Sequence, residues 1–207
     1  MTLVLASTSP RRYRILSLLH LPFLMVSPDG AEVVAEGRSP AEEACFQSRR
    51  KAASLAARFP QAILIGSDTL ISLDGGKIGK PEDLDGARDI LRLLRGRIHE
   101  VVTAVALVKG AHTFEAVETA QVRMREFTDA ELDAYLATGD CLDKAGAYSV
   151  QGLGRSLIEG LNGDYLAVVG LPLRAVADGL KQFGVEAPVD LGRLYRERNF
   201  LNWRTFP

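Results

Sequence analysis

Leu3-Val4-Leu5-Ala6-Ser7-Thr8-Ser9-Pro10-Arg11-Arg12-Tyr13-Arg14-Ile15-Leu16-Ser17-Leu18-Leu19 decides the fold class of this chain. Leu3 to Ala6 is a short apolar run of strand length, and Tyr13, Ile15, Leu16, Leu18 and Leu19 then recur at helical spacing. Between them Ser-Thr-Ser-Pro makes a tight turn, with Ser9 suited to cap the helix and Pro10 to be its first residue. A strand that turns at once into a helix is the opening of an α/β fold.

Downstream the same alternation continues. Ser39-Pro40-Ala41-Glu42 is a capping box with Pro at the first helical position. The helix it opens carries the stripe Ala41, Ala44, Cys45, Ser48, Ala52, Leu55 and Ala56, with Lys51 beside it. Ala62 to Ile65 reads as a buried strand, and Leu70 to Leu73 as a second one turning through Asp74-Gly75-Gly76 toward Ile78. Gly66, Ser67, Asp68 and Thr69 stand between the two. Leu84, Ala87, Ile90, Leu91 and Leu94 mark a third helix ending at Gly96, followed by strands at Val101 to Val108 and Val117 to Met124. Thr128 and Glu131 form a second capping box, with Phe127 stapled on Leu132 and Gly139 as the stop. An Asn162-Gly163 hairpin turn into a strand through Val168 and Val169 is expected next, and then a last helix carrying Leu173, Val176, Ala177, Leu180 and Phe183. The basic, aromatic tail from Leu191 to Pro207 takes no assignment from its pattern.

The 207 residues suffice for one large domain or two small lobes. Twenty-five Lys and Arg balance 26 Asp and Glu, so no global field would hold the chain to a nucleic-acid polymer or an acidic membrane. Any anion must be met locally. Cys45 and Cys141 lie far apart without His neighbours, which disfavours a zinc site or a disulfide framework and fits a reducing cytoplasm. No apolar run approaches the roughly 20 residues of a membrane span, and the Met1 to Ala6 stretch is too short and uncharged for a signal peptide.

Three constellations carry possible chemistry. Arg11 and Arg12 sit in a first helical turn, where the macrodipole disfavours cations. A phosphate met by free N–H groups, serine hydroxyls and guanidinium forks would compensate, although a solvated turn paired with carboxylates suits the same residues. Asp68 at a strand end can hold a hard cation or orient water, and Lys80 in Gly79-Lys80-Pro81 can neutralise phosphate. Alternatively, Asp68 caps a turn and pairs with Lys80. Taken singly, Lys51 reads as a helix-edge side chain with its charge in water, and Glu32 as a solvated loop acid. The third is Asp143 to Gly152, whose glycines admit a ligand and whose Gln151 offers the donor and acceptor that reading a base edge requires; polar turn chemistry explains it nearly as well. His20, His99 and His112 are scattered, with His99 suited to a hydrogen bond at a strand start. Neither a P-loop nor a dinucleotide fingerprint is present.

Read in order, Leu5-Ala6-Ser7-x-Ser9-Pro10-Arg11-Arg12, Ser67-Asp68-Thr69, Gly79-Lys80-Pro81, His99-x-Val101-x-Thr103, Lys144-Ala145-Gly146-Ala147-Tyr148-x-x-Gln151-Gly152 and Val169-Gly170-Leu171-Pro172 resemble the Maf family of nucleoside triphosphate pyrophosphatases. The resemblance implies a two-lobed, mixed-sheet α/β fold related to the inosine triphosphatases, with the active site in the cleft between lobes. A catalytic domain over 1–185 and a tail of unknown role over 186–207 are expected. It further implies hydrolysis of a nucleoside triphosphate to monophosphate and pyrophosphate, a divalent cation, Mg or Mn, and a cytoplasmic homodimer. By position, Asp68 matches the proton acceptor, Glu32 a second metal-holding acid, and Ser7, Arg12, Lys51 and Lys80 the phosphate-facing side chains; Ser9 belongs to the same turn. Arg11, Thr69 and Gln151 match the specificity set of the branch acting on dTTP and UTP rather than 7-methyl-GTP, and modified pyrimidine nucleotides are further candidates. Ser67, Ala31, Asp140 and Phe46-Gln47-Ser48 depart from the family pattern, Phe46 removing a cation near a phosphate-facing helix. The rival readings are a nucleotide-binding regulator linked to cell division and a phosphatase releasing orthophosphate.

Overall fold

The computed structural model describes residues 2–30, 37–142 and 144–206. Among these, seven strands form one sheet: β1 (Leu3–Ala6), β2 (Phe23–Val26), β3 (Ile63–Leu73), β4 (Gly76–Ile78), β5 (Ile98–Lys109), β6 (His112–Met124) and β7 (Ile158–Asn162). Seven α-helices accompany them: α1 (Pro10–Ser17), α2 (Pro40–Ala53), α3 (Leu84–Leu94), α4 (Asp129–Leu136), α5 (Tyr165–Val169), α6 (Leu173–Gln182) and α7 (Leu191–Glu197). The strand order is β2-β1-β3-β5-β6-β7, with β4 pairing β3 outside that path. The pairs β1–β2 and β1–β3 are parallel; β3–β5, β5–β6 and β6–β7 are antiparallel. This is the mixed α/β sheet expected, and β3 is the strand at which it changes from one sense to the other.

The capping chemistry sets the helix starts. Ser9 caps α1, Ser39 and Glu42 form a complete capping box on α2, and Thr128 and Glu131 do the same for α4. Phe127 and Leu132 are both buried at the entry to α4, as the staple required.

Four expectations are corrected. Gly66 to Thr69 do not separate two strands, because β3 runs unbroken through them. Continuous pairing with β5 from Leu64 to Ser72 satisfies one edge and holds the segment extended. Val168 and Val169 lie in a helix rather than a strand, since the Asp164 side chain accepts from Leu166 N at 2.8 Å and caps α5. On α2 the buried face is Glu43, Ala44, Gln47, Ser48 and Ala52, so the stripe is rotated toward two polar residues and leaves Ala41 outside. Finally, α6 is not the last helix, for the tail forms α7 and then a 3-10 turn at Trp203–Thr205.

The position of the cavity follows from the edge of β3. On the side away from β5, β1 pairs Ile63 to Ile65 and β4 pairs Ile71 to Leu73. Among the described residues no strand pairs that edge from Gly66 to Leu70. Alternation along the strand puts Leu64, Gly66, Asp68 and Leu70 on the face covered by α2, and Ile65, Ser67, Thr69 and Ile71 on the opposite face. The gap therefore exposes neighbouring residues of both faces to one space.

Candidate active site

That space is a cavity of about 500 Å³. Its lining includes Arg11 and Arg12 from the first turn of α1, Lys51 from α2, Asp68 and Thr69 from β3, and Lys77 to Lys80 from the hairpin into and beyond β4. Lys144 to Ala145, Tyr148 to Val150 and Val168 to Gly170 close it from the other side. Among the described residues, six lysines and arginines (Arg11, Arg12, Lys51, Lys77, Lys80, Lys144) and two acids, Asp68 and Glu43, line it. A chain of formal charge −1 has thus gathered an excess of cations among the described residues of the cavity.

Asp68 is met by Lys51, not by Lys80. Lys51 Nζ lies 2.6 Å from Asp68 Oδ1, and each side chain is 11% exposed. Lys51 is accordingly no solvated helix-edge residue. Desolvating both charges is costly, and their attraction offsets it only in good geometry, so removing one partner costs more than the pair itself contributes. Gly66 makes this approach possible: a Cβ there would stand 2.1 Å from Ser48 O and 2.7 Å from Ala52 N, so α2 can lie this close to β3 only over a glycine.

On the opposite face Arg12 is fixed by a relay. Its Nε donates to Gly170 O at 2.8 Å and its Nη2 to Thr69 Oγ1 at 3.3 Å. Thr103 Oγ1 lies 2.8 Å from Ala167 O and 3.1 Å from Thr69 Oγ1. A hydroxyl has one proton and a carbonyl only accepts, so Thr103 donates to Ala167 and accepts from Thr69. The relay uses the Thr69 proton inward and orients Arg12 at the cavity wall. Ser67 lies with its Oγ 2.9 Å from Ala104 O and 3.0 Å from Gly170 O, anchoring the same loop from below.

Other expected residues fall beside the cavity. Ser7 is buried and its Oγ accepts from Ser9 N at 3.1 Å, while Ser9 Oγ accepts from Arg12 N at 3.5 Å. Both shape the turn that presents Arg11 and Arg12, and neither lines the cavity. Lys80 is exposed at the rim. Gln151 does not line the cavity either, although Ser149 and Val150 do. Its Nε2 is buried without a hydrogen-bond partner. Glu32 lies outside the described residues.

Sequence reasoning missed Glu43, Gln47 and Lys77. Gln47 Nε2 donates to Glu43 Oε1 at 2.6 Å, Arg50 Nε donates to Gln47 Oε1 at 3.1 Å, and Glu43 Oε2 lies 3.4 Å from Arg38 and 4.0 Å from Lys77. Glu43, Gln47 and Lys51 are spaced i, i+4, i+8 and so form one stripe along the cavity. That spacing was the available signal. Phe46, where the family pattern has a cation, carries the Arg38 guanidinium 3.7 Å above its ring, so a positive group remains near this helix. Asp140 holds Lys144 Nζ at 3.1 Å.

His99 supports the back wall. Its Nε2 is 2.5 Å from Tyr148 OH with the rings edge to face, and burial lowers its pKa from 6.5 to about 4. Burial likewise pushes the Tyr148 phenol far up. Both groups are neutral near pH 7 and act by packing and hydrogen bonding.

A small hard cation binds through one or two carboxylates plus substrate phosphates. Asp68 on the wall supplies one such carboxylate; among the described residues no cluster of three or more acidic, His or Cys groups occurs.

The family model for Maf-like protein matches residues 2–183. A protein of Symbiobacterium thermophilum named dTTP/UTP pyrophosphatase is 42% identical over 182 residues, covering 88% of this chain and 94% of that protein. Proteins of the same name from Dictyoglomus turgidum and Bacillus cytotoxicus are 40% and 39% identical, covering 88% and 87% of this chain and 96% and 94% of theirs. Among solved structures, the Staphylococcus aureus Ham1 protein is similar over 61% of this chain and 73% of its own, with a TM-score of 0.44 and 16% identity, a distant likeness that adds nothing about the site.

Proposed function

The chain belongs to the Maf family, and from that premise and the geometry of its cleft we propose that it hydrolyses dTTP and UTP to the monophosphate and pyrophosphate. The observation that carries the reading is the pairing of a buried carboxylate with a pocket of six cationic side chains. Such a pocket suits a polyanionic tail, and the carboxylate suits a group that must take a proton beside it.

In the proposed reaction water attacks the α-phosphorus. A new P–O bond forms, the bond from that phosphorus to the αβ bridging oxygen breaks, and pyrophosphate leaves. Asp68 orients the water and accepts its proton. Arg12, held by Gly170 and Thr69, and Lys51, Lys80 and Arg11 stabilise the charge that collects on the departing groups. When bound, a Mg or Mn ion held by Asp68, with Glu32 as the expected second acid, would screen the phosphates and polarise the reacting centre. Thr69 shapes the pocket through Arg12. Ser149 and Val150, rather than the Gln151 amide, furnish the uncharged wall nearest the expected base-reading position. A homodimer in the cytoplasm, where nucleotide pools are met, completes the reading. No helix among the described residues is long and apolar enough to cross a membrane.

One incubation tests this. With Mg present, dTTP should yield pyrophosphate and dTMP, and Asp68→Asn should lower kcat by at least about 100-fold, the scale of general base catalysis, with a native far-UV spectrum. Orthophosphate as the first product would make the protein a phosphatase, and binding without turnover a regulator. A panel of modified pyrimidine and 7-methylated purine triphosphates in the same assay ranks the substrates.

A further inference from the structure

The family match ends at residue 183, yet the chain beyond it is built into the core. Phe200, Trp203 and Phe206 are buried. Trp203 stacks on Tyr165 at 5.4 Å and 12°, and Phe206 packs on the same ring at 5.6 Å. Tyr195 of α7 meets Trp203 edge to face and donates from its hydroxyl to Asp164 Oδ2 at 2.9 Å, the carboxylate that caps α5. Arg155 donates to Thr205 O at 2.9 Å and lies over the Phe206 ring.

These contacts converge on one amide. Tyr165 OH donates to Asn202 Oδ1 at 2.7 Å, and Asn202 Nδ2 donates to Val150 O at 2.7 Å. Tyr165 opens α5, whose far end supplies Val168, Val169 and Gly170 to the cavity, and Val150 with Ser149 lines it from the neighbouring loop. A single side chain from the tail thus ties together two uncharged walls of the cavity. The phosphate-suited groups Arg11, Arg12, Lys51 and Lys80 lie on other elements: α1, α2 and the stretch after β4.

We propose that the segment after residue 183 is a clamp that positions the nucleoside-facing walls of the cleft, with Asn202 as its positioning residue. The inference rests on the triphosphate-hydrolysing function proposed above, and it assigns the tail an effect on nucleoside recognition rather than on the phosphate chemistry. Losing the Asn202 bridge frees the Val150 loop, while α5 stays seated by the Trp203 stack and the Tyr195–Asp164 hydrogen bond; the grip on the nucleoside weakens, and Arg12 keeps its anchor on Gly170 O.

The test compares wild type with Asn202→Leu, using dTTP as substrate and inorganic tripolyphosphate as a base-free competitor. The expected result is a KM for dTTP raised about fivefold, the scale of one hydrogen bond, with kcat within twofold and the inhibition constant of tripolyphosphate unchanged. An unchanged KM, or a KM and inhibition constant that rise together, overturns the proposal. Should Asn202→Leu fail to fold, Tyr165→Phe removes the other half of the bridge while keeping the ring stack, and the same split is expected. Absence of pyrophosphate release by wild type would instead refute the function proposed above. The clamp is then judged on calorimetric affinities, dTTP weakening in the variant and tripolyphosphate not.

Discussion

At the scale of single residues, the site depends on groups whose charge is decided by their surroundings. His99 is the clearest case for a pH prediction. Its pKa falls from 6.5 unfolded to about 4 folded because burial penalises the imidazolium. Between those values the unfolded chain binds the extra proton, so the contribution is complete above pH 6.5 and is lost as pH falls toward 4. The loss amounts to roughly 3 kcal/mol at most. Urea titrations at pH 7 and pH 4.5 should show wild type losing more stability over this interval than His99→Gln, which keeps a partner for Tyr148 without an imidazole; equal losses would refute the assignment. Lys51 and Asp68 teach a complementary lesson about legibility. Each is unremarkable in its own stretch of sequence, and only the folding of α2 onto β3 brings them to 2.6 Å. The family motif order pointed to both residues, but nothing in it said that they would neutralise each other. Gln151 is the opposite case: its chemistry suits base reading, and its Nε2 is buried without a hydrogen-bond partner, which no local pattern records.

At the scale of elements, the approach of α2 to β3 is the determining contact, and Gly66 is its condition. Gly66→Ala places a methyl against the backbone of α2 at Ser48 and Ala52. Overpacking of this kind costs about 1–3 kcal/mol, and here it also levers Lys51 away from Asp68. The variant should lose stability in urea and turnover together, whereas Gly160→Ala in β7, where the added methyl meets nothing within 4 Å, should alter neither by much. A Gly66→Ala enzyme with wild-type turnover would separate the helix from the chemistry. Helix starts were legible because caps are local; Ser9, Ser39 and Thr128 all cap as their sequences imply. The inner face of α2 was not. An apolar stripe is the usual mark of burial, and Glu43 and Gln47 are buried because they satisfy one another and line a polar cavity. Likewise, two adjacent valines favoured a strand at 168–169 until the Asp164 cap decided for a helix.

At the scale of the whole molecule, the stretch of β3 between its pairing with β1 and its pairing with β4 opens the gap in which the cavity lies. Alternating strands and helices foretold a mixed sheet. They could not foretell the gap, which depends on β1 and β4 being too short to meet along the same edge. The tail is integrated at this scale too. Trp203 is the sole tryptophan of the chain, so its fluorescence reports the tail alone, while far-UV dichroism reports the sheet and helices. Because Trp203 and Phe206 share the Tyr165 ring with the main core, the two signals should change at the same urea midpoint. An earlier fluorescence transition would show the tail to be a separate cooperative unit.

The Lys51–Asp68 pair has a consequence for traffic through the cleft. The resting protein carries its own counter-ion, so any visitor must compete with an internal carboxylate for the ammonium group it needs. Under the proposed reaction, entering anions would be sorted by how much negative charge they bring, a triphosphate tail competing with Asp68 for Lys51 better than a single phosphate does.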